Sequence, residues 1–163
     1  MGRRVFFSFH YENDILRVGQ IRNSGIVLRA GDTASGFTDS ASWESVERQG
    51  DAAIQRWIDN ELNGTSVTVV LIGSQTANRR WVNYEIIESA TRGSGLLGIY
   101  IHGVKDLNGR TDVKGDNPFD YISWDNGKGA PLSQTYPTYD WIGDNGRASL
   151  ASWVETAAQK AGR

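Results

Sequence analysis

Apolar residues in this chain fall into short continuous runs and into runs that recur every three or four positions. Val67 to Ile72 (V-T-V-V-L-I) is nearly all apolar and rich in β-branched side chains. That pattern predicts a strand buried on both faces, as in a parallel sheet. Gly73 and Ser74 end it, and Thr76 or Asn78 is positioned to cap a following helix. In that helix Val82, Ile86 and Ala90 recur every four residues and should face the sheet. Trp81 and Glu85 are also four apart, on the flank of the stripe, so ring and carboxylate stand one above the other. Upstream, Arg4 to Phe9 reads as a short first strand. A helix follows, with Asn13 or Asp14 as N-cap and Ile15, Leu16, Val18 and Ile21 as its apolar positions. Asn23-Ser24-Gly25 breaks it, and 26–28 fits a second strand or more helix equally well.

Between Gly31 and Gly50 the composition shifts to Gly, Ser, Thr and Asp. Residues 36–39 read as a short edge strand and 40–50 as a long functional loop. Asp51 to Leu62 is a clearer helix with Ile54, Trp57, Ile58 and Leu62 on one stripe, ended by Asn63-Gly64. Gly95 to His102 is another buried strand. The polar segment 104–136 is expected to pack over one end of the sheet through Phe119, Tyr121 and Trp124, and 104–145 as a whole reads as an irregular insertion or lid. Residues 138–142 fit a last short strand. Leu150, Trp153, Val154, Ala157 and Ala158 make a C-terminal amphipathic helix.

Strands alternating with helices predict an α/β fold with a mainly parallel sheet and helices on both faces, one domain over 1–163. In the flavodoxin-like order 2-1-3-4-5, ligands bind where the first and third strands end side by side. Counting 36–39 as the second strand, those ends are His10-Tyr11 and Gly73-Ser74, beside the start of the helix carrying Trp81 and Glu85. A planar, ribose-bearing ligand suits that corner.

Bulk properties narrow the function. The 163 residues carry 17 basic and 19 acidic side chains, a formal charge of −2, so no basic face is advertised and nucleic-acid binding is not expected. With no Cys and two His, neither a disulfide nor a zinc cluster is expected. The Arg3-Arg4 pair lacks an export-signal apolar run, position 6 is wrong for myristoylation, and no run is long enough to span a membrane. A cytoplasmic protein without a membrane partner is expected. Gly127-Lys128-Gly129 lacks Walker spacing, and Ser74 sits in no G-x-S-x-G elbow.

Three blocks in order carry a resemblance: R-V-F-F-S-F-H-Y, then T-S-V-T-V-V-L-I-G-S-Q-T-A-N-R-R-W-V-N-Y-E, then N-P-F-D-Y. With S-(x6)-W-x-x-x-E after the third strand, they resemble TIR domains, and in particular the TIR-like subfamily forming the B component of bacterial Thoeris antiphage systems. The resemblance implies an enzyme that senses infection, cleaves NAD⁺ at the nicotinamide–ribose bond and cyclises the ADP-ribose. The diffusible cyclic product would activate a separate Thoeris effector. A phage trigger protein and self-association are further partners it implies; NAD⁺ is substrate, and no cofactor is expected. Carried over by position, Glu85 is the catalytic carboxylate and Trp81 a pocket wall. His10 and Tyr11 sit where TIR enzymes place side chains contacting the nucleotide, and Asp39, Trp43 and Glu47 fall in the counterpart of the loop covering it; Phe9 and Ser74 are further substrate-binding candidates. The subfamily's usual Cys after the motif tryptophan is Val82 here.

Heterolysis of the nicotinamide–ribose bond expels a neutral pyridine and leaves an oxocarbenium-like ribose, as in glycoside hydrolysis. The leaving group needs no general acid, so one carboxylate near the developing positive charge suffices. Cyclisation further needs an internal nucleophile held closer than water, and Tyr11, Trp43 and Trp81 can stack and exclude water. Apart from the resemblance and the topology, a helical glutamate is most often a solvated residue, Trp81 is as readily core as pocket wall, and His10 at a strand end is more often structural. Two other functions fit the same fold: a non-catalytic TIR-type interaction module and a flavin-binding flavodoxin-like protein. An intact W-x-x-x-E favours the enzyme over the first, and the missing phosphate loop argues against the second.

Overall fold

A computed structural model of the protein describes residues 3–23, 31–36 and 40–163. Its sheet is formed by β1 (Arg4–Ser8), β2 (Thr33–Ser35), β3 (Val67–Ile72), β4 (Gly95–Tyr100) and β5 (Thr138–Asp140). The spatial order is β2-β1-β3-β4-β5 and every pairing is parallel, as the strand–helix alternation predicts. All six residues of β3 are buried. Register sets Ser8 of β1 opposite Val70 of β3, and Ile72 of β3 opposite Tyr100 of β4.

Alternation along the strands sorts side chains between two faces. Val5, Phe7, Val67, Val69 and Leu71 point to one face, which α1 (Tyr11–Asn23) covers with Val18 and Ile21 and α5 (Gly146–Lys160) covers with Leu150 and Val154. Phe6, Val70 and Ile72 point to the other. There α4 (Arg80–Thr91) contributes Val82 and Ile86, α3 (Asp51–Leu62) contributes Ile54, Ile58 and Leu62, and Phe119 closes the far side. Each such apolar side chain taken fully out of water contributes about 1.5–3 kcal/mol.

Several local expectations shift. The first helix begins at Tyr11 with the His10 carbonyl accepting from the Asp14 amide, so Asn13 and Asp14 lie inside it rather than capping it. Leu16 is 57% exposed while Arg17, next to it, is buried. The edge strand is Thr33–Ser35, upstream of the expected 36–39; residues 37–39 lie outside the described residues, as do 26–28. Residues 40–48 form a helix, α2 (Ser40–Arg48), where a loop is expected, because Trp43 and Val46 pack onto the Phe6–Ile58 cluster. Neither Thr76 nor Asn78 caps α4; Arg79 holds that place with no side-chain cap. Thr76 accepts from the Gly73 amide at 2.8 Å and donates to buried Asp14 at 3.3 Å, tying the β3–α4 turn to α1.

The segment after β4 contains two short 3₁₀ turns, Pro118–Tyr121 and Leu132–Gln134. Phe119 is fully buried as expected, with Ile122 and Leu132 beside it; Trp124, 37% exposed, packs on Tyr136, while Tyr121 stays more than half exposed. The earlier part, 104–112, is anchored by Arg17, which donates to the Val104 carbonyl at 2.8 Å and the Arg110 carbonyl at 3.0 Å. Among the described residues no helix is long and apolar enough to cross a membrane.

Candidate active site

Where β1 and β3 end, the first turns of α1 and α4 diverge and leave a cavity of about 260 Å³ against α2 and α3. Glu85 lies on its wall, and two elements fix its place. Trp81 precedes it by one helical turn on α4, so both face the cavity. Ser8, the last residue of β1, points the same way as Phe6 and donates from Oγ to Glu85 Oε1 at 3.1 Å. Glu85 is only 7% exposed. Burial pushes its carboxyl well above the usual range, and the Ser8 hydrogen bond pulls weakly the other way. No ion pair reaches Glu85 among the described residues, so it is a buried acid short of a cation.

Aromatic rings supply most of the remaining wall. Tyr11 and Trp43 stack at 5.4 Å between centroids, and Trp43 meets Trp57 edge-on at 6.2 Å. That chain of rings joins α1, α2 and α3 across the cavity mouth. Tyr11 Oη and Trp43 Nε1 are buried polar atoms with no hydrogen-bond partner among the described residues, a costly state that a bound polar group would relieve. On the other side Trp81 packs edge-on against Tyr84, whose hydroxyl donates to Asp59 at 2.7 Å. Burial, then that bond, pushes the Tyr84 phenol up to about 12, so this strut between α4 and α3 stays neutral. Gly36, at the end of β2, adopts a left-handed φ of 88° and approaches the Phe7 backbone so closely that a Cβ would collide with the Phe7 carbonyl.

Of the residues singled out in the sequence, Phe9, His10, Tyr11, Trp43, Glu47, Trp81 and Glu85 all line this one cavity. Ser74 does not. Its hydroxyl donates to Asp112 at 2.7 Å and accepts from Asn13 at 3.4 Å, which places it in the network under the 104–112 segment. Asp39 lies outside the described residues. Burial, then the Arg79 charge, pushes the His10 imidazole down, so it is neutral at pH 7.

Sequence reasoning passed over Ser8, Trp57, Arg79 and Arg80. A signal for Ser8 existed, a hydroxyl within an otherwise apolar buried run, which must find a partner. Trp57 sat in a stripe that reads as core, and two arginines at a helix start read as surface.

Next to the cavity lies a second polar group that holds the site's framework. Asp14 is fully buried between Asn13 and Thr76, and burial raises its carboxyl despite their hydrogen bonds. Asp112 is instead held low, first by the Ser74 hydroxyl, against its partial burial. Among the described residues no three His, Asp or Glu side chains converge as a metal site. The arrangement suits stabilisation of a cationic centre by Glu85 inside an aromatic, water-poor pocket.

A family model described as "Thoeris protein ThsB, TIR-like domain" matches residues 6–106. The chain is also similar to a Bacillus cereus (strain MSX-D12) protein named "Putative cyclic ADP-D-ribose synthase ThsB1". The two are 40% identical over 192 residues, covering 94% of this chain and 100% of the relative.

Proposed function

This chain belongs to the Thoeris ThsB TIR-like family, and from that premise we propose that it cleaves NAD⁺ and cyclises the ADP-ribose to a signalling nucleotide. The observation that carries the reading is Glu85. It is a buried carboxylate with a hydroxyl partner and, among the described residues, no cationic partner, on the wall of an aromatic pocket where β1 and β3 end.

Such a carboxylate is a poor anion in the free protein and a better one with a cation beside it. The nicotinamide ring of NAD⁺ carries that positive charge. Its arrival favours ionised Glu85, with release of a proton when the group was protonated. As the C1′–N bond breaks, its electron pair leaves with neutral nicotinamide, and positive charge passes to the ribose C1′ and ring oxygen. Glu85 then faces more charge than in the ground state, the condition for lowering the barrier. Tyr11, Trp43 and Trp81 exclude water, so the same ADP-ribose supplies the nucleophile at C1′: a hydroxyl, which sheds its proton, or an adenine ring nitrogen, which takes on the positive charge until the exocyclic amine loses a proton. The ring closes in place of hydrolysis.

On this reading the protein works in the cytoplasm as one TIR-like unit. It waits for a phage trigger and signals to a separate effector through the cyclic nucleotide. The test is chromatographic and mass-spectrometric measurement of nicotinamide and cyclised ADP-ribose. Purified protein and lysates of infected cells are assayed beside Glu85→Gln counterparts. Product from the parent and none from the variant is expected; equal product from both, or none from either, defeats the proposal. A purely interacting module would give the last result.

A further inference from the structure

Charge around the cavity is segregated, and the reading of Glu85 as catalytic does not use the positive side of it. Two arginines, Arg79 and Arg80, line the cavity where α4 begins. The other titratable groups on its wall are the carboxyls of Glu12, Glu47 and Glu85, the phenol of Tyr11 and the neutral imidazole of His10. Among the described residues lining the pocket, this exposed pair at its edge therefore carries all the positive side-chain charge.

Their own partners leave that potential in place to different degrees. Arg80 is pinned: it meets Asp51 on α3 at 2.6 Å and lies 4.5 Å over the Trp81 ring, so it is oriented and partly neutralised. Arg79 donates to the Gln75 carbonyl at 2.9 Å and to the Gln75 side-chain oxygen at 3.0 Å, both uncharged. It is steered, and among the described residues no carboxylate pairs with it.

The spacing matters as much as the sign. Five residues of helix separate Arg80 from Glu85, about 7.5 Å of rise, and the Glu85 side chain leans back toward the helix start. In a nucleotide about five covalent bonds of roughly 1.5 Å or less separate ribose C1′ from its 5′-phosphorus, a reach of about 6 Å once bond angles are allowed for. A ribose whose C1′ lies at Glu85 thus has its 5′-phosphate within reach of the start of α4, where the arginines stand. Guanidinium groups are suited to phosphate oxygens by shape and fixed charge.

We propose that Arg79, with Arg80 oriented beside it, is a diphosphate subsite that selects dinucleotides over phosphate-free nicotinamide ribosides. It rests on the catalytic reading only for the placement of the ribose. The experiment is calorimetric binding of ADP-ribose to the parent protein and to Arg79→Gln and Arg80→Gln, with nicotinamide riboside as the phosphate-free control. Affinity for ADP-ribose should fall about tenfold or more in Arg79→Gln and less in Arg80→Gln, weaken further with salt in the parent, and leave riboside binding unchanged. Unchanged ADP-ribose affinity, a parallel loss of riboside affinity, or no ADP-ribose binding by the parent overturns the proposal. Because the readout is binding, absence of nicotinamide release would count against the catalytic reading alone.

Discussion

Replacing Glu85 by Gln should make the protein more stable at alkaline pH while removing its activity. The side chain keeps its size, and a glutamine oxygen can still accept from Ser8, whose hydrogen bond to Glu85 is 3.1 Å long. What changes is titration. Burial holds the Glu85 carboxyl well above its ordinary 4.5. Between that ordinary value and the raised one the native state binds more protons than the unfolded chain, so stability falls as pH rises. The stability is fully present below the ordinary value and is lost as pH climbs through the folded one. Each unit of upward shift removes about 1.4 kcal/mol, and Gln, which does not titrate, escapes the loss. In a domain of this size 1 kcal/mol moves Tm by about 2–4 °C. Differential scanning calorimetry should therefore find the higher Tm in Glu85→Gln at pH 8. The two should be nearly equal at pH 4. Asp14, raised by burial in the same direction, remains in both proteins and leaves each a residual slope. Nicotinamide release, by loss of one preorganised electrostatic group, should fall by about 10² or more. A variant no more stable than the parent at pH 8 would refute the picture of an uncompensated buried acid. Retained turnover would refute its catalytic use.

Other perturbations separate the supports of the site. Ser8→Ala deprives Glu85 of its hydrogen bond, so the acid limb of the kcat/KM profile, which reports the free enzyme, should move to higher pH, with about 1 kcal/mol lost in stability; an unmoved limb would show that Ser8 does not tune Glu85. Trp43→Ala breaks the ring chain from Tyr11 to Trp57 and should raise KM several-fold and increase the fraction of linear ADP-ribose over cyclic product, as water enters; an unchanged product ratio by mass spectrometry would contradict the water-exclusion role. Arg17→Ala leaves the Val104 and Arg110 carbonyls without their donor and should cost about 2–4 kcal/mol, read as a lower urea midpoint; a midpoint within error of the parent would mean that Arg17 does not anchor 104–112.

How the chain announced these features depends on how local they are. The β3 strand, α3 and α5 were readable because a single element carries its own burial pattern, a continuous run or a stripe of period 3.6. Trp81 and Glu85 were readable as a pair because four residues of helix bring them together whatever surrounds them. By contrast α2 looked like a loop, since its Ser and Glu content hides two anchors, Trp43 and Val46, that acquire meaning only against Phe6 and Ile58. Ser74 stood at the expected strand end, yet Asp112, 38 residues away, draws its hydroxyl out of the cavity.

What the amino-acid order determined by itself is therefore the alternation of strands and helices, the place where a ligand pocket must open, and the glutamate most suited to it. Only the tertiary structure decided what kind of group that glutamate is. Its partner, Ser8, lies 77 residues away, and the two meet because β1 pairs with β3 in one register and α4 packs across both. The cost of the buried charge, and with it the demand for a cationic ligand, comes from solvent excluded by several distant elements at once, a property no single segment of chain contains.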